Sequence, residues 1–160
     1  MGGIVITMSP RKQQLRPIGW REWIVIPDLC PTPVKVKIDT GATTSALHAF
    51  RLRVIESDHG PTATFVMHPH QRSTRDSVRV EADIIDFRRV RSSNGKVERR
   101  PVIAVHAVIG DTTFPMHLTL TRRDVMSYRM LLGREALRKR FMIDPGRSFV
   151  ATPRNLGTMR

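Results

Sequence analysis

Ile38-Asp39-Thr40-Gly41-Ala42 is the stretch of this chain whose residue types and order best suit bond-breaking chemistry. An apolar strand would deliver one carboxylate at its end, and a glycine just beyond would let the backbone turn sharply beneath the acid. A carboxylate held there can take a proton from water or give one to a leaving group. Thr40 adds a hydroxyl able to bond locally or across a symmetric interface. The same residues also compose an ordinary turn with an Asx-type hydrogen bond, and their spacing alone leaves both readings open. Metal chemistry has thinner support. The six histidines are scattered, and no His-Glu-x-x-His is present. His68-x-His70 offers only two ligands on one face of a hairpin, with a polar hairpin tip as the other reading. Cys30 is the single cysteine, which excludes a disulfide framework or a four-thiolate zinc site within one chain. There is no Gly-rich phosphate loop. Neither a cofactor nor a metal is expected.

The elements that must position the motif read as strands. Val34-Lys35-Val36-Lys37-Ile38 alternates apolar and basic residues with a period of two, the pattern of a half-buried strand that ends at the motif. Residues 20–27 suit a strand that Pro27, Pro31 and Pro33 then break into a turn or edge. Further strands are expected at 62–67 and 78–85, around a polar tip at 68–76. Residues 102–109 and 112–120 read as a hairpin joined at Gly110-Asp111, and Ser92-Ser93-Asn94-Gly95 signals a tight turn. Helix is scarce: 45–50 suits a turn, and 135–141 a short amphipathic helix after Met130-Leu131-Leu132-Gly133. The expectation is a mainly β sandwich or small barrel with one short C-terminal helix. A single domain at 17–151 is expected, with mobile basic tails at 1–16 and 152–160.

Charge adds a second clue. The 160 residues carry 27 Lys+Arg against 14 Asp+Glu, a formal charge of +13, and 22 of the cations are Arg. Arginine favours bidentate contact with carboxylate and phosphate, so nucleic acid, an anionic membrane surface or an acidic protein would each suit the surplus. Arg88, Arg89, Arg91, Lys96, Arg99 and Arg100 flank the Asn94-Gly95 turn and would form one dense cationic surface. Aromatics are few and match no RNA-binding signature, so nucleic acid is not favoured. The apolar run Ile4-Val5-Ile6 is shorter than the roughly 7–15 residues of a secretory core. No window approaches the roughly 18 apolar residues of a membrane span, and Ile6 stands where N-myristoylation needs Ser or Thr. A cytoplasmic, soluble protein without membrane partners is expected.

Several motifs stand together with the Asp39 stretch. They are Gly19-Trp20-Arg21-Glu22-Trp23, Thr44-Ser45-Ala46-Leu47-His48-Ala49, His68-Pro69, Leu120-Thr121 with Arg123-Asp124, Arg129-Met130-Leu131-Leu132-Gly133-Arg134 and Asp144-Pro145. Over about residues 18–150 they resemble the bacterial family commonly labelled ATP-dependent zinc proteases and regarded as retropepsin-like aspartic endopeptidases. The resemblance implies a retropepsin-like acid-protease lobe with Asp39, Thr40 and Gly41 as the catalytic motif. It further implies substrate contacts from Ala42, Thr43, Thr44, His48, Leu132, Gly133 and Arg134. A flap over 62–85, with His68, Pro69 and His70 at its tip, would cover the substrate. Thr43 departs from the family's pattern, which has a basic residue near that position. The ATP and zinc of the label have no residues behind them here.

Aspartic peptidase chemistry needs two carboxylates sharing one proton, and the chain has one Asp-Thr-Gly. The economical arrangement is a two-fold homodimer with one Asp39 from each subunit. Asp144-Pro145 reads as a turn, Asp124 as a helix cap or arginine partner, and Glu22 as a salt-bridge partner of Arg21 or Arg134. His48 would border the site or serve as a hydrogen-bonded structural histidine. Relatives of the family accompany a ligase that appends glutamates to a ribosomal protein, which points the arginine surplus toward acidic, glutamate-rich tails as substrate. The competing reading is a non-catalytic dimer of the same fold that binds RNA or an acidic protein.

Overall fold

The alternation in Val34–Ile38 is realised side chain by side chain: Val34, Val36 and Ile38 are buried, while Lys35 and Lys37 face outward. The computed structural model describes residues 2–6, 14–92, 94–122 and 127–158. Ser93, Arg123 and Asp124, and parts of both expected tails, lie outside them. The described chain forms β1 (Arg16–Gly19), β2 (Arg21–Ile26), β3 (Cys30–Ile38), β4 (Ser45–His48), β5 (Phe50–Ser57) and β6 (Gly60–Met67). There follow β7 (Val78–Asp83), β8 (Asp86–Arg91), β9 (Val97–Ile109), β10 (Thr112–Thr121), β11 (Met130–Leu132), α1 (Arg134–Leu137) and β12 (Phe141–Asp144). The fold is mainly β with one short helix, as the sequence implied.

Seven strands run in the order β10-β4-β11-β3-β2-β9-β8, and β9 also pairs with β10, which closes the sheet into a barrel. Inside it lie Ile24, Val34, Val36, Leu47, Leu118, Leu120, Met130 and Leu132, part of a core that counts twenty-nine buried residues among those described. β11 sits between two early strands, parallel to β3 and antiparallel to β4. That insertion is what brings residues 130–134 beside the Asp39 loop. β5, β6 and β7 form a separate three-stranded antiparallel sheet, and β1 pairs with β12 in parallel. Among the described residues no helix is long and apolar enough to cross a membrane.

Two local expectations are corrected and one is sharpened. The segment 45–50, expected as a turn, is β4 followed by the start of β5. All four β4 residues are buried between β10 and β11, so the strand shows no alternation. The 20–27 strand ends before Pro27 in a turn, and Pro31 and Pro33 lie in the first part of β3, an edge where β11 has not yet begun to pair, as the expected turn or edge allows. The helix expected at 135–141 stops at Leu137, because Lys139 takes a left-handed conformation (φ 64°) and Phe141 opens β12.

The end of the described chain is packed, where a mobile tail was expected from 152. Thr152 is buried; its Oγ1 accepts the Trp23 N–H, and Trp23 Nε1 donates to the Arg154 carbonyl. A 3-10 turn at Leu156–Thr158 then lays Gly157 against the Trp23 ring. Glu22, fully buried under this segment, makes no ion pair among the described residues, contrary to the expected bridge to Arg21 or Arg134. It accepts hydrogen bonds from Ala151 N and Thr152 Oγ1. Burial pushes its carboxyl above the ordinary glutamate value, against the opposing pull of these bonds. A carboxyl raised in the folded state binds protons more readily than in the unfolded chain, so its contribution to stability falls as pH rises above about 4.3. Glu22→Gln should therefore gain stability relative to wild type between pH 4 and pH 8. Urea midpoints of both proteins across that range would show it; a gap independent of pH would contradict it.

Candidate active site

Ile38 pairs with Leu132, and the ladder continues one residue further, where Asp39 N donates to the Leu132 carbonyl at 2.9 Å. The chain then turns, with Ala42 N donating to the Asp39 carbonyl at 3.2 Å. Gly41 N donates to Asp39 Oδ1 at 3.0 Å, so the Asx turn is real. The turn and the presentation of an acid coexist, since one N–H fixes the carboxylate while Asp39 stays half-exposed and Thr40 and Gly41 exposed. Gly41 is not in the left-handed region. Its missing Cβ instead leaves room, because a methyl there would sit 3.2 Å from Asp39 Oδ1.

The loop is held from the far end of the sequence. Arg134 N donates to the Ala42 carbonyl and Glu135 N to that of Thr43, at 2.8 and 3.0 Å. The Arg134 guanidinium reaches back across the loop, Nη1 donating to the Thr40 carbonyl and Nη2 to Thr43 Oγ1, each at 3.0 Å. Gly133 N donates to the buried Ser45 Oγ at 3.0 Å. Asp39, Thr40, Gly41, Ala42, Thr43, Thr44, Leu132, Gly133 and Arg134 are thus one assembly. The sequence points Arg134 at substrate and gives Ser45 no role; the structure has Arg134 bond the loop and Ser45 bond Gly133 where β11 meets it. Removing the guanidinium in Arg134→Ala deletes both bonds and should let Thr40 and Thr43 shift by up to about 1 Å. Misplacement on that scale should cost about 10–100-fold in kcat with KM nearly unchanged. Steady-state kinetics on a fluorogenic peptide would read it.

His48, His68, Pro69 and His70 are not in that assembly. β4 runs away from the loop, and His48 stands three residues beyond Ser45, about 10 Å along the strand. It is buried, with Arg129 Nη1 donating to its Nδ1 at 3.3 Å, which matches the structural alternative for this histidine. The 68–77 loop that joins β6 to β7 packs at the same end. His68 Nδ1 bonds Ser77 Oγ, His70 Nε2 bonds Asp76 Oδ2 at 2.7 Å, and Arg129 Nε donates to the His70 carbonyl at 3.3 Å. Gln71 Nε2 donates to the Ser127 carbonyl. His68 and Pro69 are buried, so the expected flap tip is a tied-down corner. Residues 57–59, the tip of the β5–β6 hairpin, are by contrast exposed.

The cationic hairpin is real but partly neutralised. β8 and β9 pair Arg88 with Arg100 and Arg89 with Arg99. Arg88 bonds Glu135 and Arg100 bonds Glu98, both at 2.9 Å, while Arg89, Arg91, Lys96 and Arg99 stay exposed. Asp144 accepts from Gly146 N, the expected turn.

A family model described as RimB-like, retropepsin-like aspartic endopeptidase RimB, matches residues 17–154. A Shewanella halifaxensis protein named probable alpha-L-glutamate ligase is 41% identical over 138 residues, which are 86% of this chain and 30% of that protein. A Parasynechococcus marenigrum protein of the same name is 41% identical over 128 residues, 80% of this chain and 28% of that protein. The chain therefore spans less than a third of the length of these curated relatives, and the names they carry are of a ligase, not of a zinc protease. Among solved structures, a Legionella pneumophila protein of unknown function shares the fold with a TM-score of 0.71 at 24% identity, over 85% of this chain and 98% of that one.

Proposed function

We propose, from the premise that the chain belongs to the RimB-like family of retropepsin-like aspartic endopeptidases, that it hydrolyses peptide bonds at a site completed by two copies of itself. The observation that carries this reading is the Asp39 carboxylate, fixed by Gly41 N–H on a loop that Arg134 clamps at Thr40 and Thr43, with Asp39 left half-exposed beside an exposed Thr40. One such carboxylate is half of a dyad. Two of them brought together on a two-fold axis cannot both ionise, so the pair holds a single proton between them. The ionised Asp39 takes a proton from a water, whose oxygen adds to the peptide carbonyl; the protonated Asp39 gives its proton to the carbonyl oxygen. The diol collapses as the Asp39 that took the water's proton passes it to the departing amine and the other Asp39 takes a hydroxyl proton from the diol, which leaves a carboxylic acid and the dyad with one proton again. Thr40, whose side chain is exposed in the single chain, would bond to the partner's loop.

The substrate that fits is acidic. A surplus of +13 on each copy would be doubled around one shared site, a field that draws in anions. The relatives named as glutamate ligases make glutamate-rich protein tails the natural class, and the peptidase would trim them. The ligase name itself belongs to proteins that this chain spans only in part. With His68 and Pro69 buried in the 68–77 corner, the exposed β5–β6 tip is the candidate cover. The test is cleavage of a glutamate-rich peptide by wild type and by Asp39→Asn at raised and low salt. Activity that needs Asp39 and falls with salt supports the reading. Equal turnover of acidic and neutral peptides would remove the acidic preference.

A further inference from the structure

Beside the tied-down corner lies a cavity of about 430 Å³ that no catalytic residue enters. Phe50 and Val66 give it an apolar side, and Arg51, His68 and Arg129 give it a polar one. A regular strand would turn Phe50 and Arg51 to opposite faces. Here the β5–β6 register slips between Phe50 and Arg53, Arg51 takes a left-handed conformation (φ 54°), and both residues line the same cavity.

Arg51 and Arg129 make the polar side cationic. Ser77 donates its hydroxyl hydrogen to the Thr74 carbonyl, so its oxygen accepts from His68 Nδ1. The neutral His68 ring then keeps its lone pair on Nε2. His68 is 9% exposed, and burial, then the positive charges of Arg129, His48 and Arg51, hold its basicity below the ordinary histidine value. Asp76, the acid of the adjoining loop, is engaged by His70 and lies 3.7 Å from Arg75. Among the described residues no carboxylate lines the cavity.

We propose that this cavity is a subsite for a glutamate side chain of the bound peptide, with its methylenes on Phe50 and Val66 and its carboxylate between Arg51 and Arg129, beside the His68 ring. The apolar side distinguishes a glutamate from a bare anion such as phosphate. The inference rests on the peptidase reading only in taking that peptide for the substrate. The cavity lies at the His48 end of β4, about 10 Å along the strand from the Ser45 end, a distance an extended peptide covers in three residues. The acid it reads is therefore remote from the bond that is cut.

Titration calorimetry on the full-length Asp39→Asn protein tests this without cleavage, using pentaglutamate and pentaglutamine as probes. Arg51 is exposed, so Arg51→Gln on that background should fold and bind pentaglutamate about 10-fold or more weakly. Arg51→Lys should recover part of the loss. Arg138→Gln, which removes the same charge from an exposed site after α1, should leave affinity unchanged. The His68 ring resonances of the Asp39→Asn protein should move with pentaglutamate and not with pentaglutamine, a readout that does not depend on any Arg51 variant folding. Unchanged affinity in Arg51→Gln, an equal loss in Arg138→Gln, or inorganic phosphate competing as well as the peptide would each overturn the subsite. Loss of wild-type cleavage on Asp39→Asn alongside an unaffected Arg51→Gln would keep the peptidase reading and remove only the subsite. Arg51-dependent binding by a protein that cleaves nothing would do the reverse.

Discussion

Asp39→Asn should abolish peptide cleavage, by about 10³–10⁴-fold or more, and leave the fold intact. The asparagine carbonyl oxygen can still accept the Gly41 N–H that now goes to Asp39 Oδ1 at 3.0 Å, so the loop keeps its shape. An amide can neither take a proton from water nor share one with a partner carboxylate, so the chemistry is removed while the geometry stays. Circular dichroism and a thermal midpoint close to wild type would establish the second half, and turnover of a glutamate-rich peptide the first. Chelator should change neither protein. Activity that survives in Asp39→Asn but falls with chelator would transfer the chemistry to a metal.

Gly133→Ala should be the most damaging single methyl near the site. A Cβ at position 133 would stand 2.6 Å from both the carbonyl carbon and oxygen of Thr44 and 3.0 Å from the Ala42 oxygen. Those neighbours are backbone atoms of the very loop that carries Asp39, and they cannot rotate aside as a side chain would. Relief requires β11 and the loop to part, which breaks the Gly133 N to Ser45 Oγ and Arg134 N to Ala42 O bonds together. The expected cost is about 1–3 kcal/mol of stability, with about 100-fold lower turnover from the displaced acid. Gly146→Ala is the control, since a Cβ there meets its nearest neighbour at an ordinary 3.5 Å. Chemical denaturation of the two variants, with kinetics at a temperature where both stay folded, would separate them. A Gly133→Ala protein as stable and active as Gly146→Ala would contradict this packing.

What the sequence disclosed depended on whether a segment had one wet face. β3 was legible because its lysines alternate with buried valines, and the β9–β10 hairpin because Gly110 marks its turn with φ 59°. β4 was hidden because a strand enclosed on both sides has no alternation to read, and its Ser45 and His48 look polar until their buried partners are known. β1 and β12 pair across more than a hundred residues, and no local pattern predicts such a partner. The site divided in the same way. The acid, its glycine and the Leu132-Gly133 segment were evident as residue types. That Arg134 would bond the Thr40 carbonyl, and that His70 and Gln71 would be fastened by the 127–129 segment, are facts of tertiary closure. The closing residues 152–158 looked like a tail for a similar reason: what anchors them is the indole of Trp23, far back in the chain.

The central claim is that one Asp39 from each of two copies makes a single working site, and mixing subunits tests it most directly. Wild type and Asp39→Asn would be combined at fixed total protein, exchanged to equilibrium, and assayed as the wild-type fraction is varied. A shared dyad predicts that a mixed dimer is dead, so activity follows the square of the wild-type fraction. Activity in simple proportion to that fraction would mean that each chain works alone, and would contradict the account.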